Sequence, residues 1–135
     1  MSDTRTTGSD PTTTMATIVT AWAEHDADAF ADAFVEDGTM IISGSHVTSR
    51  PAIAEFMRAA FAGPYAGTRV TGKPIDVRSI APGCTLIITE GGVILPGEEE
   101  VAPQRAIRAG WLLVQDEGTW RLAAYQNTPA HAPAA

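Results

Sequence analysis

The apolar residues of this chain change their period partway along. Up to about residue 63 they recur at helical spacing, and beyond it they form long runs cut by turn residues. Met15, Ile18, Val19 and Trp22 stand at i, i+3, i+4 and i+7, which makes one apolar helical stripe. Asp10-Pro11 ahead of it supplies an N-cap and a first-turn proline. Asp26 caps a second predicted helix carrying Ala27, Phe30, Ala33 and Phe34, with Gly38 placed to stop it. Ser49 and Pro51 open a third, which bears Ile53, Phe56, Met57, Ala60 and Phe61 and ends at Gly63-Pro64. Between the second and third helices, "TMIIS" (39–43) reads as a short strand.

Four longer strands are predicted at about 68–80, 84–95, 102–115 and 119–127. Ala81-Pro82-Gly83, Pro96-Gly97 and Asp116-Glu117-Gly118 divide them. Such short links imply an antiparallel meander. The whole is an α+β domain over residues 10–129, in the order ααβα followed by four strands, with 1–9 and 130–135 as disordered tails.

Alternation assigns faces to the strands. Ile107, Ala109, Trp111 and Leu113 share one, with Arg105 at its start. Cys84, Leu86, Ile88 and Glu90 share another, and Gly91-Gly92 is a natural bulge. Glu90 is then the one carboxylate placed among apolar neighbours. In the last strand Trp120, Leu122, Ala124 and Gln126 have one parity, and Ala123, Tyr125 and Asn127 the other. The first set is the more continuously apolar, so Gln126 is expected inside and Asn127 at the rim.

Composition narrows the function classes. The chain has 135 residues, 44% hydrophobic and 19% charged, which suits one core. A net charge of −7 with nine scattered Lys and Arg argues against nucleic acid as a partner. Cys84 is the single cysteine and reads as a small buried hydrophobe. No apolar run reaches the roughly 18 residues of a membrane span, and the polar N-terminus lacks a secretory segment, so a cytoplasmic protein is expected. His25 falls in a helix link, His46 in the "SGSHVTS" loop and His131 in the tail. No His/Cys/Asp cluster offers a metal site. The run "GEEE" (97–100) reads as a solvated hairpin tip.

The order of elements, with "FADAFVEDGTMIISG", "SRPAIAEFM" and "GTWRLAAYQNT", resembles the nuclear-transport-factor-2-like superfamily over about residues 12–129. Within its SnoaL-like branch, "WRLAAYQNT" is similar to the last strand of the SgcJ/EcaC family, small proteins associated with enediyne and other polyketide pathways. The resemblance implies a cystatin-like cone: a curved antiparallel sheet wrapped around the three helices of the N-terminal half, with an apolar cavity at its wide end. It also implies a homodimer, and places His46 near the cone mouth. In steroid-isomerase members a base carboxylate follows helix two. That position falls on Ile42 here, and Asp37 nearby reads as a turn residue beside Gly38. Limonene-epoxide-hydrolase-like members link two acids by an arginine, which Glu90 with Arg105 or Arg108 imitates by half. The cyclases of the branch use a strand carboxylate and a histidine, where this chain has Gln126 and Asn127.

Two classes of function follow. One is a cofactor-free cyclase, isomerase or dehydratase with Glu90 as base, Gln126 and Asn127 holding a carbonyl, and Arg105 setting the field. The other is a binding or self-resistance protein that sequesters a hydrophobic polyketide-like molecule without turnover. In either, the expected ligand contacts are Trp22, Phe30, Phe34, Met40, His46, Phe56, Met57, Phe61, Arg105, Trp111, Tyr125 and Asn127. An amide-tipped, aromatic-walled cavity favours binding, because amides do not titrate near neutral pH.

Overall fold

The computed structural model describes residues 10–131. Of the tails expected at 1–9 and 130–135, residues 1–9 and 132–135 lie outside that range, while Ala130 belongs to the fold through its N–H bond to Ala106 O. Three helices, α1 (Pro11–Ala23), α2 (Ala27–Asp32) and α3 (Arg50–Ala62), begin at the caps read from the sequence. Asp10, Asp26 and Ser49 each accept a bond from a backbone N–H of the first turn. These caps fix where the chain turns into each helix, and the apolar stripes then determine which side is buried.

Six strands form one sheet in the order β2-β1-β6-β5-β4-β3. They are β1 (Phe34–Ile42), β2 (Ser45–Thr48), β3 (Arg69–Ala81), β4 (Cys84–Ile94), β5 (Ile107–Asp116) and β6 (Thr119–Pro129). β3 to β6 are the expected antiparallel meander, and β1 joins β6 in parallel. The helices cover the concave side, where Met15, Ile18, Trp22, Phe30, Met57 and Phe61 share one core cluster with Ile87, Trp111, Leu113 and Leu122. This is a cystatin-like α+β cone. Among the described residues, no helix is long and apolar enough to cross a membrane.

Three expectations change. α2 stops at Asp32, before Phe34 rather than at Gly38, because the sheet takes up the chain there. Leu122 N–H donates to Ala33 O, and the Arg50 guanidinium donates twice to Phe34 O. Gly38 is instead a buried strand position where a Cβ would lie 3.0 Å from the Phe34 ring, and Asp37 is exposed on β1. Residues 102–106 are not strand. A 3-10 turn at Pro103–Arg105 precedes β5. The segment "SGSHVTS", expected as a loop, contains β2, hairpinned on β1 by a turn at Ser43-Gly44, both with positive φ.

Gly91 and Gly92, expected as a bulge, keep their register against β3. A Cβ on Gly91 would come within 2.0 Å of Thr71 O, so the two strands approach there as only glycine permits. Gly92 has φ +150°, and Val101 and Arg105 O pack against it. The bulges lie elsewhere. β3 carries extra residues at Ile75 and Ile80, next to a Pro74 that suits an edge strand, and β6 carries one at Ala123.

Candidate functional site

A cavity of about 120 Å³ lies between α1 and the concave sheet. α1 contributes Met15, Ile18, Val19 and Trp22 to it, the stripe that the sequence shows as one apolar face. Phe30 and Phe34 close the end beneath α2, and β5 presents Ile107, Ala109 and Trp111. Gly72, Gly91 and Gly92 form part of the opposite wall, which β3 and β4 present there as bare backbone.

The indole N–H groups of both wall tryptophans are already bonded. Trp22 Nε1 donates to Thr68 Oγ1 at 2.9 Å, and Trp111 Nε1 donates to Thr89 Oγ1 at 3.0 Å. Thr68 Oγ1 donates in turn to Tyr65 O, and the His25 ring sits 3.1 Å from Thr68 O. His25 is thereby a tie between the α1–α2 link and the start of β3, its ring tilted against Phe61 with centroids 5.1 Å apart, and does not line the cavity.

Polar groups gather at one end. Tyr125, Asn127, Ser43 and Tyr65 all line the cavity. Asn127 Nδ2 donates to Tyr125 Oη at 3.0 Å, and Ser43 Oγ lies 3.0 Å from Tyr65 Oη. The Tyr125 ring meets Trp111 edge to face with centroids 4.9 Å apart. Burial pushes the Tyr125 phenol above its ordinary 10.0, against the Asn127 hydrogen bond, and the nearby Tyr65 adds to the rise. At neutral pH it is an O–H donor.

Gln126 is exposed and faces away, opposite to the sequence expectation. The cause is Ala123. Leu112 pairs with Ala124 and Leu113 with Leu122, so Ala123 has no partner and the alternation of β6 reverses across it. Trp120 and Leu122 point inward before the bulge, and Tyr125 and Asn127 after it. Glu90 is also outside. The buried residues of β4 before its glycines are Thr85, Ile87 and Thr89, so Cys84, Leu86, Ile88 and Glu90 occupy the convex face. There Glu90 lies 3.7 Å from Arg108, both half-exposed.

The other expected contacts divide by location. Trp22, Phe30, Phe34, Trp111, Tyr125 and Asn127 line the cavity. Met40, Met57 and Phe61 are buried, and Phe56 partly buried, in the packing around α3 and β1. His46 is exposed on β2, with Nε2 3.0 Å from Thr39 Oγ1 and 3.2 Å from Thr48 Oγ1. Arg105 is held in the β4–β5 connection by Glu98, whose carboxylate also accepts from Leu95 N–H. The "GEEE" tip is therefore half a tether, through Glu98. Tyr65, Ser43 and Thr89 are lining residues that the sequence reading missed. Tyr65, in "AGPYAG", had one signal: an aromatic residue inside a Gly/Pro link needs somewhere to be buried.

None of the lining residues is Asp, Glu, His, Lys, Arg or Cys. Among the described residues there is also no group of His, Cys, Asp and Glu that could hold a metal ion. The cavity can therefore enclose an apolar body and hydrogen-bond one end of it. It presents no side chain that exchanges a proton readily near neutral pH.

The family model for a SnoaL-like domain matches residues 12–130. A domain of unknown function with a cystatin-like fold from Nostoc punctiforme is 26% identical, with a TM-score of 0.80 over 89% of this chain and 75% of that one. An uncharacterised protein of the same fold from Caulobacter vibrioides is 25% identical, TM-score 0.73, over 89% and 87%. A ketosteroid isomerase-like protein from Erwinia carotovora atroseptica, 16% identical with a TM-score of 0.68 over 90% and 94%, shares the fold. No curated protein matches.

Proposed function

Because the chain belongs to the SnoaL-like domain family, we propose that the cavity beneath α1 is its working part and that it binds a hydrophobic small molecule of the polyketide type. The observation that carries this reading is the lining itself: aromatic and aliphatic walls, a cluster of neutral hydroxyl and amide groups at one end, and no charged side chain. The similarity of "WRLAAYQNT" to the last strand of SgcJ/EcaC proteins supports a polyketide, enediyne pathways included. Binding without turnover, as in sequestration or self-resistance, agrees better with a neutral lining than acid–base catalysis does. Glu90 on the convex face gives no support to a base at that position.

The test uses a hydroxyanthraquinone as probe, followed by tryptophan fluorescence and by chromatography of the recovered ligand. The wild type is expected to bind it and return it unchanged. Val19→Trp, which fills the cavity from α1, should weaken binding by at least about tenfold, and Glu90→Gln should leave it as it was. Conversion of the probe by the wild type, abolished in Glu90→Gln, would overturn the reading.

A second reading, a homodimer through the sheet, is favoured by the convex face. Leu86, Ile88 and Leu112 are half-buried there, with no helix over them among the described residues, and Ile41 is 37% exposed.

A further inference from the structure

The polar end of the cavity has a direction as well as a location. Tyr125 Oη accepts the Asn127 N–H, so its own proton is left to point elsewhere, and both residues border the cavity. Beside them the Ser43–Tyr65 pair supplies a further hydroxyl donor. All four groups are neutral, and no lining side chain carries a positive charge. A carboxylate or phosphate entering here would lose its water without meeting a cation, a cost of several kcal/mol that neutral donors only partly offset. The chain's net charge of −7 adds to the penalty. A ketone, aldehyde or quinone oxygen suffers much less on the same transfer and accepts the Tyr125 proton directly.

Resting on the pocket reading above, we infer that the cavity selects an uncharged aromatic carbonyl compound over the corresponding acid, with Tyr125 as the residue that sets this preference and Asn127 as the group that positions it. The partly buried phenol stays protonated through the neutral range, so the donor is constant there. This separates the site from one that takes free acids or acyl phosphates.

The experiment titrates the full chain at neutral pH with three probes that share one ring system: naphthalene, acetylnaphthalene and naphthoate. In the wild type the ketone should bind about tenfold more tightly than naphthalene, the value of one well-placed hydrogen bond, and naphthoate should bind more weakly than either. In Tyr125→Phe the ketone's advantage over naphthalene should disappear, and in Asn127→Ala it should shrink, with circular dichroism melts confirming that each variant is folded. A ketone advantage that survives Tyr125→Phe would overturn the inference, as would naphthoate binding as tightly as the ketone. In both cases naphthalene binding would leave the pocket reading standing. If neither naphthalene nor the ketone binds the wild type, the pocket reading fails and this inference with it.

Discussion

The two faces of β4 are built from nearly the same residue types, yet they serve opposite purposes. Thr85, Ile87 and Thr89 point into the cone and are buried, while Leu86 and Ile88 point outward and are half-buried. On the inner face the threonines do specific work, since Thr89 holds the Trp111 indole. On the outer face the larger hydrocarbons remain partly in water, with Glu90 and Arg108 at their edge. Hydrophobicity alone thus ranks the faces the wrong way. A strand that is apolar on both sides has to be assigned by what packs on it, and here the helices decide.

The strongest way to break this comparison is to place a charge on each face. Ile87→Asp buries a carboxylate at a fully enclosed position and should cost more than about 4 kcal/mol, seen as loss of the cooperative denaturant transition. Leu86→Asp, one residue away, should leave the fold within about 1 kcal/mol. If the convex face pairs two copies, it should also convert a dimer to a monomer in gel filtration. Equal damage from the two would show that the faces are not distinct.

Insertion of one alanine between Ala124 and Tyr125 has a smaller expected effect. It moves the strand beyond the bulge on by one position, so Gln126 turns inward, and Tyr125 and Asn127 turn out. A loss of about 2–4 kcal/mol is expected from exposing Tyr125 and ending its contact with Trp111, with loss of ligand binding. Retained binding at wild-type stability would mean that the register does not control the site. The smallest effect concerns pH. The Tyr125 pKa is raised in the fold, so its neutral form contributes stability below the ordinary value of 10.0, and that contribution is lost as pH rises through the folded value. Phenolate absorbance should show a component titrating above pH 10, accompanied by a falling melting temperature, and Tyr125→Phe should remove both.

Much of the fold was legible because its punctuation is local. Asp10, Asp26 and Ser49 cap helices by bonds within a few residues, and Gly83 and Gly118 take the left-handed turns their positions implied. The end of α2 was not legible, since Phe30 and Phe34 fit a helix as well as they fit a helix followed by a strand. Long-range bonds from Leu122 and Arg50 settle it. The site was half visible. Trp22, Phe30, Phe34 and Trp111 followed from periodicity, but Gln126 and Glu90 were placed inward by parity counted along one strand. The clue to the bulge was present in "LAAYQN": Leu122 and Tyr125, both large, stand three apart with two alanines between. Period-two alternation cannot place both on one face without an extra residue.

The two wall tryptophans have a further consequence for what the protein can distinguish. Each gives its only hydrogen to a threonine of the scaffold, Trp22 to Thr68 and Trp111 to Thr89. A guest therefore meets two indoles as bare carbon surfaces with no polar vocabulary of their own. In the pocket proposed above, the walls would meet its apolar body and the polar end would do most of the telling apart. Molecules that share an outline but differ in decoration along their flanks would look alike to this cavity, and replacing either threonine by valine would return a donor to the wall and give the protein a second point at which to tell them apart.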